Sequence, residues 1–562
     1  MDYKKLLADT VIIEGVESEE IAAQITPCKD RAHGDYSLPC FRLAAQLKKS
    51  PAELAKEVAG RVGCFNFLEK AEAVGPFVNF TLNKSAYAKD VLEKVLSAGG
   101  FYGSSDTGAG KTVCIDYSSV NIAKPFHIGN LLNTVLGAAL YRIYKKVGYH
   151  AVGINHLGDW GTQFGKMIAA YRKWGSPEQV EQGGVNALTE LYVRFHKEAE
   201  TDPALEDEGR LWFKKIEDGD PEALRIFNKF KEITLKDAQR VYDMLGVQFD
   251  SYAGESFYND KMQPVIDELR EKGLLKESQG AYVVDLEDEG MPPCLILKKD
   301  GATLYATRDL AAAFYRKKTY DFYKDLYVVA YQQDLHFRQW FKVVEKMGYD
   351  WAKDLEHVAF GMVSYEGRAL STREGYVVYL DELLTRAVEK AREIIEEKSP
   401  NLADKDKVAR QVGIGAVVFF DLFNNRIKDI DFRWERVLNF DGETGPYVQY
   451  THARCCSVLA KAGELSAAPD YAALDNAEAQ EVVRSLERFP ELVREACQRN
   501  EPSLLTRFTV ELASNFNRYY YENRILTEDA AASAARVNLT AATASCLRTA
   551  LGLIGVEAPE KM

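Results

Sequence analysis

From Lys111 onward the chain alternates short apolar runs with longer stretches of helical spacing. TVCIDYSS reads as a strand, and beyond about Asn130 the residues Leu131, Val135 and Ala139 share one stripe, with Leu132, Leu136, Leu140 and Ile143 beside it. HAVGINHLG from His150 reads as a second strand, and the segment after Asp159 as a helix. DLYVVAYQQD followed by LHFRQWFKVVEKMGY repeats the order strand, loop, helix. Such alternation predicts a parallel sheet with helices on its faces. A charged helical stretch between about Gly175 and Gly290 interrupts it and reads as an insertion.

The flanking regions follow other patterns. Residues 1–108 combine helical stretches with PFVNFTL, whose apolar and polar positions alternate after Pro76, and end in the small-residue loop GSSDTGAG from Gly103. This predicts an α+β module and a hinge or linker. From about Leu380 the pattern is helical: DELLTRAVEKAREIIEEK, RSLERFPELVREACQ and LLTRFTVELASNFNRYYYENRIL all carry apolar residues at helical spacing. The expected division is therefore 1–108, then 109–385 with the insertion at about 175–290, then an all-α region 386–562.

A length of 562 residues accommodates these regions at the usual ~100–200 residues per domain. Acidic side chains outnumber basic ones, 84 to 71, giving a formal charge of −13. A wholly basic nucleic-acid binder has the opposite sign, so an RNA partner requires a local basic surface, and no DNA partner is expected. The first twenty residues turn acidic early and lack the apolar core of a signal peptide. The longest apolar run, Val412 to Phe420, is too short for a bilayer and holds two glycines, so no membrane partner is expected. Nine cysteines occur without a C-x-x-C pair, which fits reduced thiols in a cytoplasmic protein.

Two glycine clusters are decoys. GAGKT at Gly108 to Thr112 has Ser105 where a phosphate-binding loop needs its first glycine, and it precedes a strand instead of following one. Gly413-Ile-Gly415 lacks the third glycine of a dinucleotide fingerprint and lies in helical surroundings. No H-E-x-x-H or EF-hand loop occurs, and no protein-held metal is expected.

The informative stretch is DYSSVNIAKPFHIGNLLNTVLG, Asp116 to Gly137. A strand ends in a polar turn, and Pro125, His127 and Gly129 lead into a helix. Gly129 would let a base or ribose approach the backbone, and the helix start offers N–H groups to phosphate oxygens. Lys124 and His127 could reach the same phosphates and stabilise charge as pyrophosphate leaves. Taken alone, H-x-G is more simply a strand–helix turn with a capping histidine.

The longer string changes that balance. SxNIAKPFHIG resembles the first signature of the class I aminoacyl-tRNA synthetases, in its arginyl form. HGDYSLPCFRLA (His33 to Ala44) and GPFVNFTLN resemble the extra N-terminal, tRNA-contacting domain of that family. INHLGDWGTQFG (Ile154 to Gly165), TLYATRDLAAA (Thr303 to Ala313) and VVAYQQDLHFRQ (Val328 to Gln339) resemble its catalytic core. GPYVQYTHAR (Gly445 to Arg454) and FNRYYYENRIL (Phe516 to Leu526) resemble its helical anticodon-binding domain. The likeness spans nearly the whole chain. It implies an α/β Rossmann-type catalytic domain, an α+β N-terminal domain and an all-α C-terminal anticodon-binding bundle.

The resemblance also implies roles. Lys124, His127 and Asn130, with Ser371 and Arg373 of GRALSTREG (Gly367 to Gly375), would act in catalysis. Ser118, His127, Gly129, Asn130, Ser371 and Thr372 would hold ATP, the substrate that brings Mg²⁺. Asn121, Tyr305, Asp309 and Gln332 would line the pocket for L-arginine, with Asp116 at a position usually acidic. A guanidinium wants planar carboxylate partners, so Asp116 and Asp309 suit it chemically. Asp309 reads equally well as a helix N-cap, and Tyr305 as a core aromatic. Tyr447, Gln449, Tyr450, Arg454, Asn517 and Tyr520 would meet tRNA(Arg), with helix packing as the competing reading for each tyrosine. The enzyme would be a monomer and would need tRNA bound before arginine is activated.

Three positions depart from the family. Asn130 and Leu132 stand where it carries histidine and arginine, and Ala369 stands where its second signature carries lysine. An amide still hydrogen-bonds but carries no charge. These departures motivate a second expectation, a catalytically weakened paralogue that binds tRNA without arginine-dependent turnover. A third, a nucleotidyltransferase acting on a small acid, leaves the terminal regions unexplained.

Overall fold

The computed structural model describes residues 3–28, 30–299, 301–370, 377–463 and 467–562. The chain forms two compact units. One gathers Met1–Tyr102, Arg454–Arg488 and Glu511–Cys546; the other gathers Gly103–Ala453, Phe489–Val510 and Leu547–Met562. The division falls within four C-terminal helices, Gly445–Ala462, Ala477–Gln498, Ser503–Glu522 and Ala530–Leu553.

The N-terminal part of the first unit is α+β. Its four-stranded antiparallel sheet runs Thr26–Pro27, Tyr36–Pro39, Phe77–Leu82, Leu68–Val74, with helices Phe41–Leu47, Pro51–Arg61 and Lys84–Ala98 around it. The alternation read in PFVNFTL buries Val78, Phe80 and Leu82. Asn79 is buried as well, its side-chain oxygen accepting from the Ser37 hydroxyl at 2.7 Å.

The second unit is built on a four-stranded parallel sheet in the order Leu355–Phe360, Lys324–Ala330, Thr112–Asp116, His150–Ile154. Val113, Cys114 and Ile115 of one central strand are fully buried, as both faces of a parallel sheet require. From Thr112–Asp116 the chain moves to the edge strand His150–Ile154, then returns to the other side of the sheet. The strand order therefore reverses between Thr112–Asp116 and Lys324–Ala330, and such sheets bind ligands at the carboxyl ends of the strands at that point.

Two helices set the geometry there. Leu131–Lys146 packs on the sheet through Gly137, where a Cβ would lie 2.1 Å from the Tyr117 Cβ. Tyr305–Tyr320 packs with Asp334–Lys346 around the fully buried Trp340.

The insertion begins with helices Pro177–Ala199, Ala204–Glu217 and Pro221–Leu245. Its later part differs from the helical expectation: after Met262–Glu271, strands Leu275–Ser278, Ala281–Val284 and Cys294–Lys298 form an antiparallel sheet. LKES is short and mostly exposed, so it shows no period of two. A three-residue strand, Ile430–Phe432, likewise interrupts the helical C-terminal region and pairs in parallel with Val363–Tyr365. Tyr365 stacks on Phe432 at 5.8 Å and accepts a hydrogen bond from the Trp434 indole at 3.0 Å, so tertiary contacts outweigh the local pattern.

Gly137→Ala should lower the urea midpoint of unfolding, because the new methyl has to displace Tyr117; the loss should be about 1–3 kcal/mol. An unchanged midpoint would show that the helix can shift away from the sheet at little cost.

Candidate active site

The segment after Asp116 is strained and tightly laced. Ser118, Ser119 and Ala123 have φ of 68°, 46° and 60°, left-handed values that non-glycine residues hold only when their surroundings compel it. The Ser118 N–H donates to the Asn133 side-chain oxygen at 2.9 Å, and the Ser118 hydroxyl lies 2.9 Å from both the Thr134 and the Tyr242 hydroxyls. The Ala123 N–H donates to the Thr234 hydroxyl at 3.0 Å. Gly158 joins the neighbouring loop to this turn: its N–H donates to the Val120 carbonyl and its carbonyl accepts from Ile122. Ser118, expected at the nucleotide, is thus buried with its hydroxyl engaged inside the protein. Asn121 is exposed, and a Cβ at Gly158 would lie 2.3 Å from its Oδ1.

His127 both caps and points outward. Its Nδ1 accepts from the Gly129 N–H at 3.1 Å, which assigns the proton of the neutral ring to Nε2. Burial, and then the nearby Lys124 charge, push its pKa below the ordinary histidine value. The ring is therefore a neutral donor at physiological pH. A Cβ on Gly129 would come within 2.9 Å of that ring, so the glycine makes room for the imidazole. Asn130 closes the turn: its Oδ1 accepts the His127 N–H at 3.2 Å, and its carbonyl accepts the Thr134 hydroxyl at 2.8 Å. Lys124 is exposed at the rim.

Ser371, Thr372 and Arg373 lie outside the described residues. The described residues on either side of them meet the first signature. Ile128 donates to the Val378 carbonyl and Leu380 to the Phe126 carbonyl, both at 2.9 Å. A Leu370 methyl lies 3.6 Å from where a Gly129 Cβ would stand. Asp431 ties down the segment before it, accepting the Gly367 N–H at 2.7 Å and the Ser364 hydroxyl at 2.9 Å.

One stripe of the helix Tyr305–Tyr320 carries Tyr305, Asp309 and Arg316, which are four and seven residues apart. Tyr305 is 71% exposed, which rules out a core aromatic. The helix begins at Tyr305, so Asp309 sits in its second turn and is no N-cap. The Asp309 Oδ2 is 2.6 Å from the His336 Nε2. Gln332 is exposed in the turn Tyr331–Gln333, directly after Lys324–Ala330.

Asp116 is already held from beneath. Its Oδ2 is 2.5 Å from the guanidinium of Arg316, whose side chain is 1% exposed, and its Oδ1 accepts the Ser119 hydroxyl at 2.7 Å. The same guanidinium lies 3.6 Å from Asp325 and 5.2 Å from the Tyr327 ring centroid. The Tyr327 hydroxyl donates to Asp325 at 2.8 Å. Burial pushes the Asp325 carboxyl up to about 6, against the pull of Arg316.

Several groups at the site escaped the sequence reading. Burial raises the Glu255 carboxyl to about 7, with Arg308 at 3.8 Å opposing and Asp309 and Asp159 reinforcing the rise. Fully buried Asp159 accepts from Lys231 at 2.6 Å and from the Ser256 N–H and hydroxyl at 2.8 and 2.7 Å. His156 stacks on Tyr258 at 5.5 Å and has a buried Nδ1 without a hydrogen bond. His156, Asp159 and Arg308 lie within strings that resemble the family, and no motif or period marks Glu255. The turn thus carries a neutral imidazole and an exposed ammonium at His127 and Lys124, groups suited to phosphate, and the Asp309, Glu255 and Asp159 carboxylates, which influence one another electrostatically, suit a cation.

The residues expected at RNA separate. Gln449 is fully buried and donates to the carbonyls of Gln411 and Glu557 at 3.0 and 2.8 Å; Tyr447 is half-buried, and Tyr450 is 44% exposed. In the other unit Arg454 donates to the Asn517 oxygen at 2.5 Å and lies over the ring of exposed Tyr520 at 5.2 Å.

Known proteins match along the whole length. Residues 91–434 match the family described as tRNA synthetases class I (R), catalytic domain; residues 448–562 match the DALR anticodon binding domain, and residues 1–82 the arginyl tRNA synthetase N terminal domain. The chain is 52% identical to the arginine–tRNA ligase of Alkaliphilus metalliredigens over 100% of both sequences. It is 53% identical to that of Clostridioides difficile over 98% of this chain and 97% of the relative. The structure is similar to the Thermus thermophilus arginyl-tRNA synthetase, with a TM-score of 0.81 and 28% identity over 96% of each chain.

Arg316→Met should strip two buried carboxylates of their counter-charge and destabilise the fold by about 3–5 kcal/mol. Urea denaturation measures this, and adding Asp116→Asn with Asp325→Asn should recover most of the loss. A single variant as stable as the parent would mean that water already compensates the carboxylates.

Proposed function

The chain belongs to the arginyl-tRNA synthetases and is an arginine–tRNA ligase, and from that premise we propose how its residues divide the reaction. ATP lies along the turn from Lys124 to Asn130, its base or ribose over Gly129 and its phosphates toward Lys124, the His127 Nε2–H, Ser371, Thr372 and Arg373. L-Arginine sits with its guanidinium at Asp309 and Tyr305 and its backbone groups near Asn121 and Gln332. One arginine carboxylate oxygen attacks the α-phosphorus; the bond to the β-phosphate oxygen breaks, leaving arginyl-adenylate and pyrophosphate. The 2′-hydroxyl of the terminal adenosine of tRNA(Arg) then attacks the carbonyl carbon and AMP leaves. The protein provides no covalent nucleophile, so catalysis is positioning and charge stabilisation.

The observation that supports this reading most directly is the pairing of Phe126 and Ile128 with Leu380 and Val378, which ties the first signature to residues that follow the second in sequence. Asp116 then acts from below, its charge shared with Arg316, while Asp309 faces the ligand. A planar carboxylate favours a guanidinium over the ammonium of lysine, which cannot fill two forks. Mg²⁺ enters with ATP.

Tyr450, Arg454, Asn517 and Tyr520 offer ring faces and donors to unstacked anticodon bases. Tyr447 stands beside them in sequence, and Gln449 supports the helix from inside. The reading includes action as a monomer in the cytoplasm, with tRNA bound before activation. The full-length identity to arginine–tRNA ligases gives no support to a weakened paralogue.

Charging of total tRNA with labelled arginine and ATP should succeed, and lysine or heat-killed protein should give none. Asn130→Ala should slow charging by about 10²-fold, since it removes an amide at the phosphates together with the cap on His127. Folded protein that binds tRNA but transfers no arginine would overturn the assignment of roles.

A further inference from the structure

Two carboxylates at this site have partners inside the protein. Asp116 is bound by a buried arginine, and Asp309, the proposed guanidinium ligand, is bound by a histidine. His336 is held firmly. It occupies the first turn of Asp334–Lys346, which starts directly after the Gln332 turn. Its neighbour Phe337 is buried and stacks on His357 at 4.4 Å, and His357 Nε2 contacts the Val329 carbonyl at 2.9 Å. The imidazole is thus carried on a helix start fixed to two strands of the parallel sheet. It meets Asp309 on one oxygen only, at 2.6 Å.

We propose that His336 is a positioning residue for arginine recognition: its Nε2–H holds the Asp309 carboxylate in the plane that a guanidinium requires. Each carboxylate oxygen accepts two hydrogen bonds, so one bond from His336 leaves both oxygens a lone pair for a two-pronged contact. An aspartate free to turn would still attract a cation but would lose planar selectivity and the entropy of fixing itself on each binding event. Because His336 follows Gln332 by four residues, the same short segment sets both ends of the substrate site. The proposal rests on Asp309 being the guanidinium ligand, so its test has to separate the two claims.

The test is steady-state charging of tRNA by the full chain with arginine and ATP varied independently. His336→Ala should raise the KM for arginine about tenfold or more, the weight of a hydrogen bond to a charged group. The KM for ATP should stay within about twofold, and kcat should fall less than the arginine KM rises. His336→Gln, which keeps a donor, should recover most of the arginine KM. In an Asp309→Asn background, adding His336→Ala should have little further effect, because the histidine acts through the carboxylate. An unchanged arginine KM in His336→Ala, or equal rises for arginine and ATP, overturns the positioning role. If Asp309→Asn raises the arginine KM while His336→Ala does not, only this proposal falls. If Asp309→Asn leaves it unchanged, the pocket assignment falls with it.

Discussion

A guanidinium almost wholly removed from water, set between two carboxylates on adjacent strands, is the constraint around which the catalytic unit is organised. Removing three charges from solvent is expensive, and each is tolerable only while the other two stay in register. Asp116 and Asp325 sit on the two strands where the sheet order reverses, and Arg316 descends from the helix that presents Asp309 and Tyr305 on the same stripe. The triad therefore fixes the height and rotation of the helix relative to the strand ends. An error there would move Tyr305 and Asp309 together, because both are mounted on the helix that carries Arg316.

The nucleotide side is held by a different device. Three left-handed non-glycine residues follow the strand, and each stretch of that turn has a partner: Asn133, Thr134 and Tyr242 for Ser118, Thr234 for Ala123, Gly158 for its middle. Strain of this kind persists only where the surroundings over-determine it. Here the surroundings include the long helix Pro221–Leu245 of the insertion, which provides both Thr234 and Tyr242. The insertion thus helps to shape the nucleotide turn. Asn130 belongs to the same device. At a position where its family carries an imidazole, its amide oxygen completes the turn that orients His127.

The parallel sheet, the bundle helices and the signature turn were legible because each rests on local pattern: apolar periodicity, a glycine before a helix, strings of fixed order. For Asp309 and Tyr305 the string left cap and core readings open, and it took the helix start at Tyr305 and the exposure of that ring to close them. What could not be read depends on distant residues meeting. Nothing near Asp116 points to Arg316, two hundred positions later, and nothing in Gly-Glu-Ser marks Glu255 as a carboxyl raised by burial. The short strands LKES and IDF escaped for the same reason, being held by pairing partners and not by a period of their own.

The pairing of Ile430–Phe432 with Val363–Tyr365, and of Thr112–Asp116 with Lys324–Ala330, also bears on how the enzyme is made. A ribosome releases the chain from its N-terminus, so the first signature emerges while its neighbouring strand is still unwritten. The buried triad cannot close before Asp325 appears, and Val363–Tyr365, paired on one side with Arg368–Ala369, lacks its parallel partner until Phe432 does. Until then a strand with three apolar residues and an unpaired edge waits in the open, where it is vulnerable to mispairing. The order of synthesis thus makes this sheet end one of the last parts of the catalytic unit to gain its pairing partners, and a nascent chain that stops before residue 430 would leave one of its strand edges open.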